Sequence, residues 1–117
     1  MNKCYRLKSN ASFSYIYKNG RSISSQIINI IYVKATNLKV GISVSRKVGN
    51  SVIRSLVKRR IKESFRLLIP YIKSPHSYNY VVVARPGIEK FDYHYISSEL
   101  KRLLSGARHL SSIESTN

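Results

Sequence analysis

Five acids, Glu63, Glu89, Asp92, Glu99 and Glu114, and three histidines, His76, His94 and His109, are the side chains of this sequence best suited to hold a metal ion or move a proton near neutral pH. Metal-assisted hydrolysis needs carboxylates placed to hold cations a few ångströms apart. Here the acids are scattered, and no DxD or HExxH spacing joins them to the histidines. A lone histidine is more often an ordinary polar side chain than a catalyst. Cys4 stands alone, so it offers no intrachain disulfide and no CxxC metal pair, and reads as a free thiol near a terminus. The sequence points away from a protein that performs hydrolysis by itself.

Its other chemistry is cationic. Eight Lys and Arg residues fall within 46–66, RKVGNSVIRSLVKRRIKESFR, against one acid, Glu63. At about 100° per residue, Ile53, Leu56, Val57, Ile61, Phe65 and Leu68 share one broad arc of a helix, while Arg54, Lys58, Arg59, Lys62 and Arg66 share the opposite one. Like charges at i, i+4 repel by a few tenths of a kcal/mol per pair. A row of Arg54, Lys58 and Lys62 is better tolerated when a polyanion lies across it than as a merely solvated face.

The whole chain supports the polyanion. Its 117 residues carry 21 Lys and Arg against 5 Asp and Glu, a formal net charge of +16, far beyond what solubility requires. Nucleic acid is the first candidate and an anionic membrane the second. No apolar run approaches the roughly 18 residues of a spanning helix, and the first ten residues lack the apolar segment of a secretory signal. A cytoplasmic protein without membrane attachment is expected. With 43% hydrophobic residues, the chain is long enough to bury a core as one domain. That domain is expected over residues 1–110, followed by a polar, frayed tail from 111 to 117.

These functional residues must be positioned by a small set of elements. Ser9 and Asn10 suit the start of a short helix bearing Phe13, Ile16 and Tyr17, and Gly20 suits its end. Residues 22–35, rich in Ile, Tyr and Val, read as one strand. Residues 40–44 alternate Val40, Ile42 and Val44 with small residues and read as a second strand, forming a hairpin with the first. Gly49 and Asn50 break the pattern before a basic helix over about 51–69, which Pro70 and Pro75 terminate. Residues 80–84 read as a strand buried on both faces. Asp92 caps a last helix with Ile96, Leu100, Leu103 and Leu104 on one side. The fold class is α+β, a sandwich with a small central sheet.

Lys47, Gly49, Asn50 and the run from Arg54 to Arg59 within KVGNSVIRSLVKRR resemble the signature of the bacterial ribonuclease P protein subunit. In that family a strand ending in basic residues passes through a Gly-Asn turn into a helix opening Arg-Asn-Arg-x-x-Arg. Arg6, Leu7, Phe13, Tyr17, Lys18 and Gly20 match its N-terminal pattern, and residues 81–85 look like its apolar strand ending in Ala and a basic residue. The matching elements run in order over roughly residues 5–105. One departure concerns the signature itself: Ser55 and Leu56 stand where the family shows Asn and Arg. Arg makes a planar bidentate fork for phosphate that Leu cannot replace, so weaker or altered RNA contact is expected there.

The resemblance implies an αβββαβα fold whose βαβ crossover is left-handed, against the usual rule, as in the second domain of ribosomal protein S5. It implies a ribonucleoprotein in which an RNA subunit with bound Mg²⁺ removes the 5′ leader of precursor tRNA. The protein would hold both RNAs, as a monomer in a 1:1 complex. Arg46, Lys47, Asn50, Arg54, Lys58, Arg59 and Lys62 would contact the ribonuclease P RNA, although Asn50 also suits a simple turn or cap. Phe13, Tyr17 and Tyr32 would stack on leader nucleotides, with the register of Tyr32 open by one residue, enough to reverse its face. On the residues alone, without the resemblance, Phe13 and Tyr17 better suit the core stripe of a short helix. A ribosomal or ribosome-assembly protein would share the charge, size and element pattern.

Overall fold

The computed structural model describes residues 7, 10–36, 38–72 and 78–106. Cys4, Arg6, Pro75, His76, His109, Glu114 and the expected tail lie outside the described residues. The elements are α1 (Asn10–Asn19), β1 (Arg21–Ser24), β2 (Ile28–Lys34), β3 (Lys39–Val44), α2 (Ser51–Leu68), β4 (Tyr78–Ala84) and α3 (Tyr93–Gly106). This is the αβββαβα order, in an α+β fold with a single described four-stranded sheet.

The strand order is β1-β2-β4-β3. β2 is antiparallel to both β1 and β4, whereas β3 runs parallel to β4. Two expectations change here. Residues 22–35 are two strands rather than one: the chain reverses at Ser25, whose N–H donates to the Ile28 carbonyl at 2.7 Å and whose Oγ accepts from the Ile28 N–H at 3.2 Å. The hairpin therefore joins β1 to β2. The expected pairing of residues 22–35 with 40–44 does not form, because β4 lies between them. The reason is the composition of β4: its unbroken apolar run can be buried only in the middle of a sheet covered on both faces.

Both faces are covered. Tyr80, Val82 and Ala84 point into the main core with Val57, Ile61 and Phe65 of α2 and Ile96, Leu100 and Leu104 of α3. Val81 points the other way, to Leu7 and to Ile16 of α1. Burial pushes the Tyr80 hydroxyl well above the usual phenol range.

Helix ends follow their capping chemistry. Asn50 Oδ1 accepts from the Ile53 N–H at 3.0 Å and opens α2, and Asp92 Oδ1 accepts from the Tyr95 N–H at 3.0 Å and opens α3. α2 stops at Leu68, just before Pro70. α1 passes straight into β1 through Gly20, where a Cβ would lie 2.6 Å from the Ile16 carbonyl oxygen and 2.8 Å from that of Tyr32; only glycine fits.

Leu56 departs from the expected apolar arc of α2, being 39% exposed. It lies about 100° round the helix from Val57, outside the buried stripe of Val57, Ile61, Phe65 and Leu68. That stripe includes one polar residue instead: buried Ser64, whose hydroxyl donates to the Arg60 carbonyl at 2.8 Å.

Candidate nucleic-acid interface

β3 is an edge strand, and the two predicted binding surfaces meet on it. Its outer edge is partly occupied by the chain before α1, where the Leu7 N–H donates to the Val40 carbonyl at 3.0 Å. α1 lowers the Phe13 ring onto the middle of the strand. A Cβ built on Gly41 would sit 2.5 Å from Phe13 Cζ and 3.0 Å from Leu7 Cδ2, so the strand needs glycine there for the ring to approach. α2 brings Lys58 and Lys62 to the other side. Leu7, Phe13, Val40, Gly41, Ile42, Lys58 and Lys62 together line a cleft of about 350 Å³. An apolar floor with two ammonium groups on one wall suits a base or ribose with its phosphate alongside.

Tyr17, one helical turn beyond Phe13, is 47% exposed with its ring 6.5 Å from that of Phe13. Tyr32 lies elsewhere. Along β2, Ile31 and Val33 face α1, while Ile30 and Tyr32 face the main core. The Tyr32 ring meets Tyr78 edge-on at 5.7 Å and Tyr80 at 6.4 Å. The period-2 alternation of a strand thus sets Tyr32 on the opposite side of the sheet from Phe13.

The basic surface begins immediately after β3. Ser45 Oγ accepts from the Lys47 N–H at 3.2 Å and stabilises a short 3-10 turn, Arg46–Val48, on which Arg46 and Lys47 are exposed. Asn50 is exposed, but its carbonyl oxygen is engaged in the cap, leaving its NH₂ group for a partner. Arg54 Nε donates to the Gly49 carbonyl at 3.2 Å, which orients the guanidinium. Val44, Ser51, Arg54, Ser55 and Lys58 then enclose a cavity of about 180 Å³. Two hydroxyls, a guanidinium and an ammonium around a small volume are a natural set of phosphate donors. Lys58 lines this cavity and the Phe13 cleft alike, which makes the two surfaces neighbours.

The cations of α2 divide by role. Arg60 Nη1 donates to the Phe91 carbonyl at 2.8 Å, tying α2 to the segment before α3. Arg66 pairs with Glu63 through two hydrogen bonds, and this guanidinium holds the Glu63 carboxyl below its ordinary range. Arg46, Lys47, Lys58, Arg59 and Lys62 form no ion pair with another described residue. Gly41, Ser51 and the apolar floor of Val40 and Ile42 escaped the sequence-level site; a glycine inside an otherwise regular strand was the available signal.

Among the described residues no three His, Cys, Asp or Glu side chains come together where they could hold a metal ion. No helix among the described residues is long and apolar enough to cross a membrane.

Comparison with known proteins agrees with this geometry. The profile of the family described as Ribonuclease P matches residues 1–108. A ribonuclease P protein component from Clostridium kluyveri is 41% identical over 105 residues, covering 88% of this chain and 94% of the relative. One from Alkaliphilus metalliredigens is 41% identical over 109 residues, covering 91% and 96%. Among solved structures, the RNase P protein of Staphylococcus aureus superposes with a TM-score of 0.81 at 31% identity, covering 93% of this chain and 100% of the other. That of Thermotoga maritima gives 0.75 at 28% identity, covering 85% and 94%. The chain belongs to the ribonuclease P protein family and is a protein component of that tRNA-processing endoribonuclease.

Proposed function

We propose that this ribonuclease P protein binds the RNA subunit of the enzyme through Arg46, Lys47, Asn50, Arg54, Lys58, Arg59 and Lys62, and the 5′ leader of precursor tRNA through the Phe13 cleft. The observation that carries this reading is the position of Lys58, which lines both the phosphate-sized cavity at the start of α2 and the apolar cleft on β3. A strand of RNA in the cleft would thus lie against the surface that grips the second RNA. Phe13 supplies a stacking face indifferent to base identity, as a processor of many precursors needs, and Tyr17 extends it at the rim. Tyr32, on the far face of the sheet, packs with Tyr78 and Tyr80 and is left out of the cleft in this reading.

Hydrolysis belongs to the RNA subunit in this reading. Mg²⁺ held by that RNA would supply the Lewis-acid chemistry of hydrolysis; the protein contributes cations that neutralise phosphates and so permit close RNA packing. One protein joins one RNA, in the cytoplasm, as a single domain over residues 1–110.

Replacing Arg54, Lys58 and Lys62 together with Gln tests the surface. Each phosphate contact contributes roughly 0.7–0.9 to the slope of log K on log salt, so the slope for binding the RNA subunit is expected to fall by about 2. An unchanged slope would remove this face from the RNA interface.

A further inference from the structure

A second groove, of about 640 Å³, lies where β1 turns into β2, lined by Gln26, Pro86, Lys90, Phe91, Tyr95 and Arg102 among others. It is firmly built. One wall is the Ser25–Ile28 turn; another is the turn in which the Ile88 N–H donates to the Arg85 carbonyl at 3.2 Å, with Gly87 at φ 104°. A left-handed residue after proline is the glycine position of a type II turn. Arg85 joins the two walls, its backbone N–H donating to the Ile27 carbonyl and its Nη1 to that of Ser25, each at 2.9 Å. α3 supplies the third wall. Its Tyr95, 45% exposed, stacks with Phe91 of the preceding segment, centroids 4.4 Å apart and planes 20° apart. Beside them Arg102 donates two hydrogen bonds to Glu99, at 3.0 and 3.1 Å.

The charge of this groove sets it apart. One acid, Glu99, lines it, while Glu89 and Asp92 cap the neighbouring turns, accepting from the Gly87 and Tyr95 N–H groups. Its lining cations are Lys90 and Arg102, the latter paired with Glu99. In a chain of net charge +16 this surface is nearly neutral, so phosphate is not what it selects. What it offers is a preformed aromatic stack, with the amide of Gln26 at hand for polar edges. A nucleobase turned away from its phosphates has the matching chemistry: a π face and a rim of donors and acceptors.

We infer that this groove holds one unpaired nucleobase of the bound RNA, stacked on the Phe91–Tyr95 pair, as a site separate from the Phe13 cleft. Phe13 packs on the α1 face of the sheet and Phe91 against the core on the other, so the two sites engage different nucleotides. RNA is the occupant favoured over a peptide because, on the reading above, the cationic surface of α2 would hold RNA against this molecule. The inference rests on the RNA-binding reading above.

The test is equilibrium binding of a bacterial ribonuclease P RNA to the wild-type chain, Tyr95→Ala and Tyr95→Phe over a range of salt, with thermal denaturation of each. Tyr95→Ala is expected to weaken binding by roughly 5- to 150-fold, the worth of one stacked base, with the salt slope unchanged; Tyr95→Phe keeps wild-type affinity. A second measurement needs no substitution: on adding hexaadenylate to the wild-type protein, the ring proton resonances of Phe91 and Tyr95 are expected to shift upfield. Wild-type binding by Tyr95→Ala, or rings unmoved by the oligonucleotide, overturns the nucleobase site alone. Failure of the wild-type chain to bind the RNA overturns the RNA-binding reading with it.

Discussion

Gly41→Ala is a one-methyl change whose consequences follow from the cleft geometry. The new Cβ would lie 2.5 Å from Phe13 Cζ, 2.7 Å from Cε1 and 3.0 Å from Leu7 Cδ2. Ordinary carbon contacts begin near 3.5 Å, so the ring must retreat by about 1 Å. Overpacking of this kind costs roughly 1–3 kcal/mol, and loss of glycine from the unfolded chain returns about 0.4–1 kcal/mol. A net destabilisation of about 1–2 kcal/mol lowers Tm by on the order of 5–15 °C for a domain near this size. Displacing the ring also removes a stacking surface, which would weaken the leader-dependent part of precursor binding roughly 5- to 150-fold. Circular dichroism melting gives the first quantity. The ratio of holoenzyme affinities for precursor tRNA and leaderless tRNA gives the second. Phe13→Leu in the Gly41→Ala background should recover stability, because it removes the colliding ring atoms. A Tm and leader discrimination equal to wild type, or strictly additive effects of the two substitutions, would refute the proposed contact between ring and strand.

Three further outcomes are expected. Asn50→Ala should cost about 1 kcal/mol through the lost cap while Asn50→Ser keeps the stability, and both should bind the RNA subunit less tightly by filter binding if the Asn50 NH₂ group touches RNA. Leu56→Arg should leave Tm unchanged within about 0.5 kcal/mol because the position is an exposed one, while steepening the salt slope of RNA binding by roughly 0.7–0.9. Arg102 holds the Glu99 carboxyl below the ordinary carboxylate range, so the pair stabilises the fold above that range and the benefit is lost as pH falls through the lower folded value. Denaturant titrations of wild type and Glu99→Gln should differ by up to about 1 kcal/mol at pH 7 and converge in acid.

The helices were legible because their signals are local. Asn50 and Asp92 precede apolar residues at helical spacing, and Pro70 ends α2 where proline must. The sheet was less so, since which strands pair is decided by tertiary burial. Ser24, Ser25 and Gln26 contain none of the Gly, Asn or Pro residues that usually mark a hairpin, so β1 and β2 merged into one strand in the sequence. The apolar run of β4 revealed burial on both faces, yet its insertion between β2 and β3 appears only once three strands compete for the centre. Leu56 fell outside the core because a six-residue apolar arc is wider than the surface α2 presents to the sheet. At the candidate site, charge and spacing singled out the basic helix, whereas which of its cations are held within the fold depended on their partners: the carbonyl of Phe91 takes Arg60, and Glu63 takes Arg66. Tyr32 shows the sharpest limit, because a single residue of register decides which side of the sheet it serves.

The most direct test of the central claim is cleavage of precursor tRNA at low Mg²⁺ by a bacterial ribonuclease P RNA, with and without this protein, beside a protein-only control. The account predicts faster release of the leader when both are present and no cleavage by the protein alone. Tight RNA binding without stimulation, or cleavage by the protein in the absence of RNA, would contradict it.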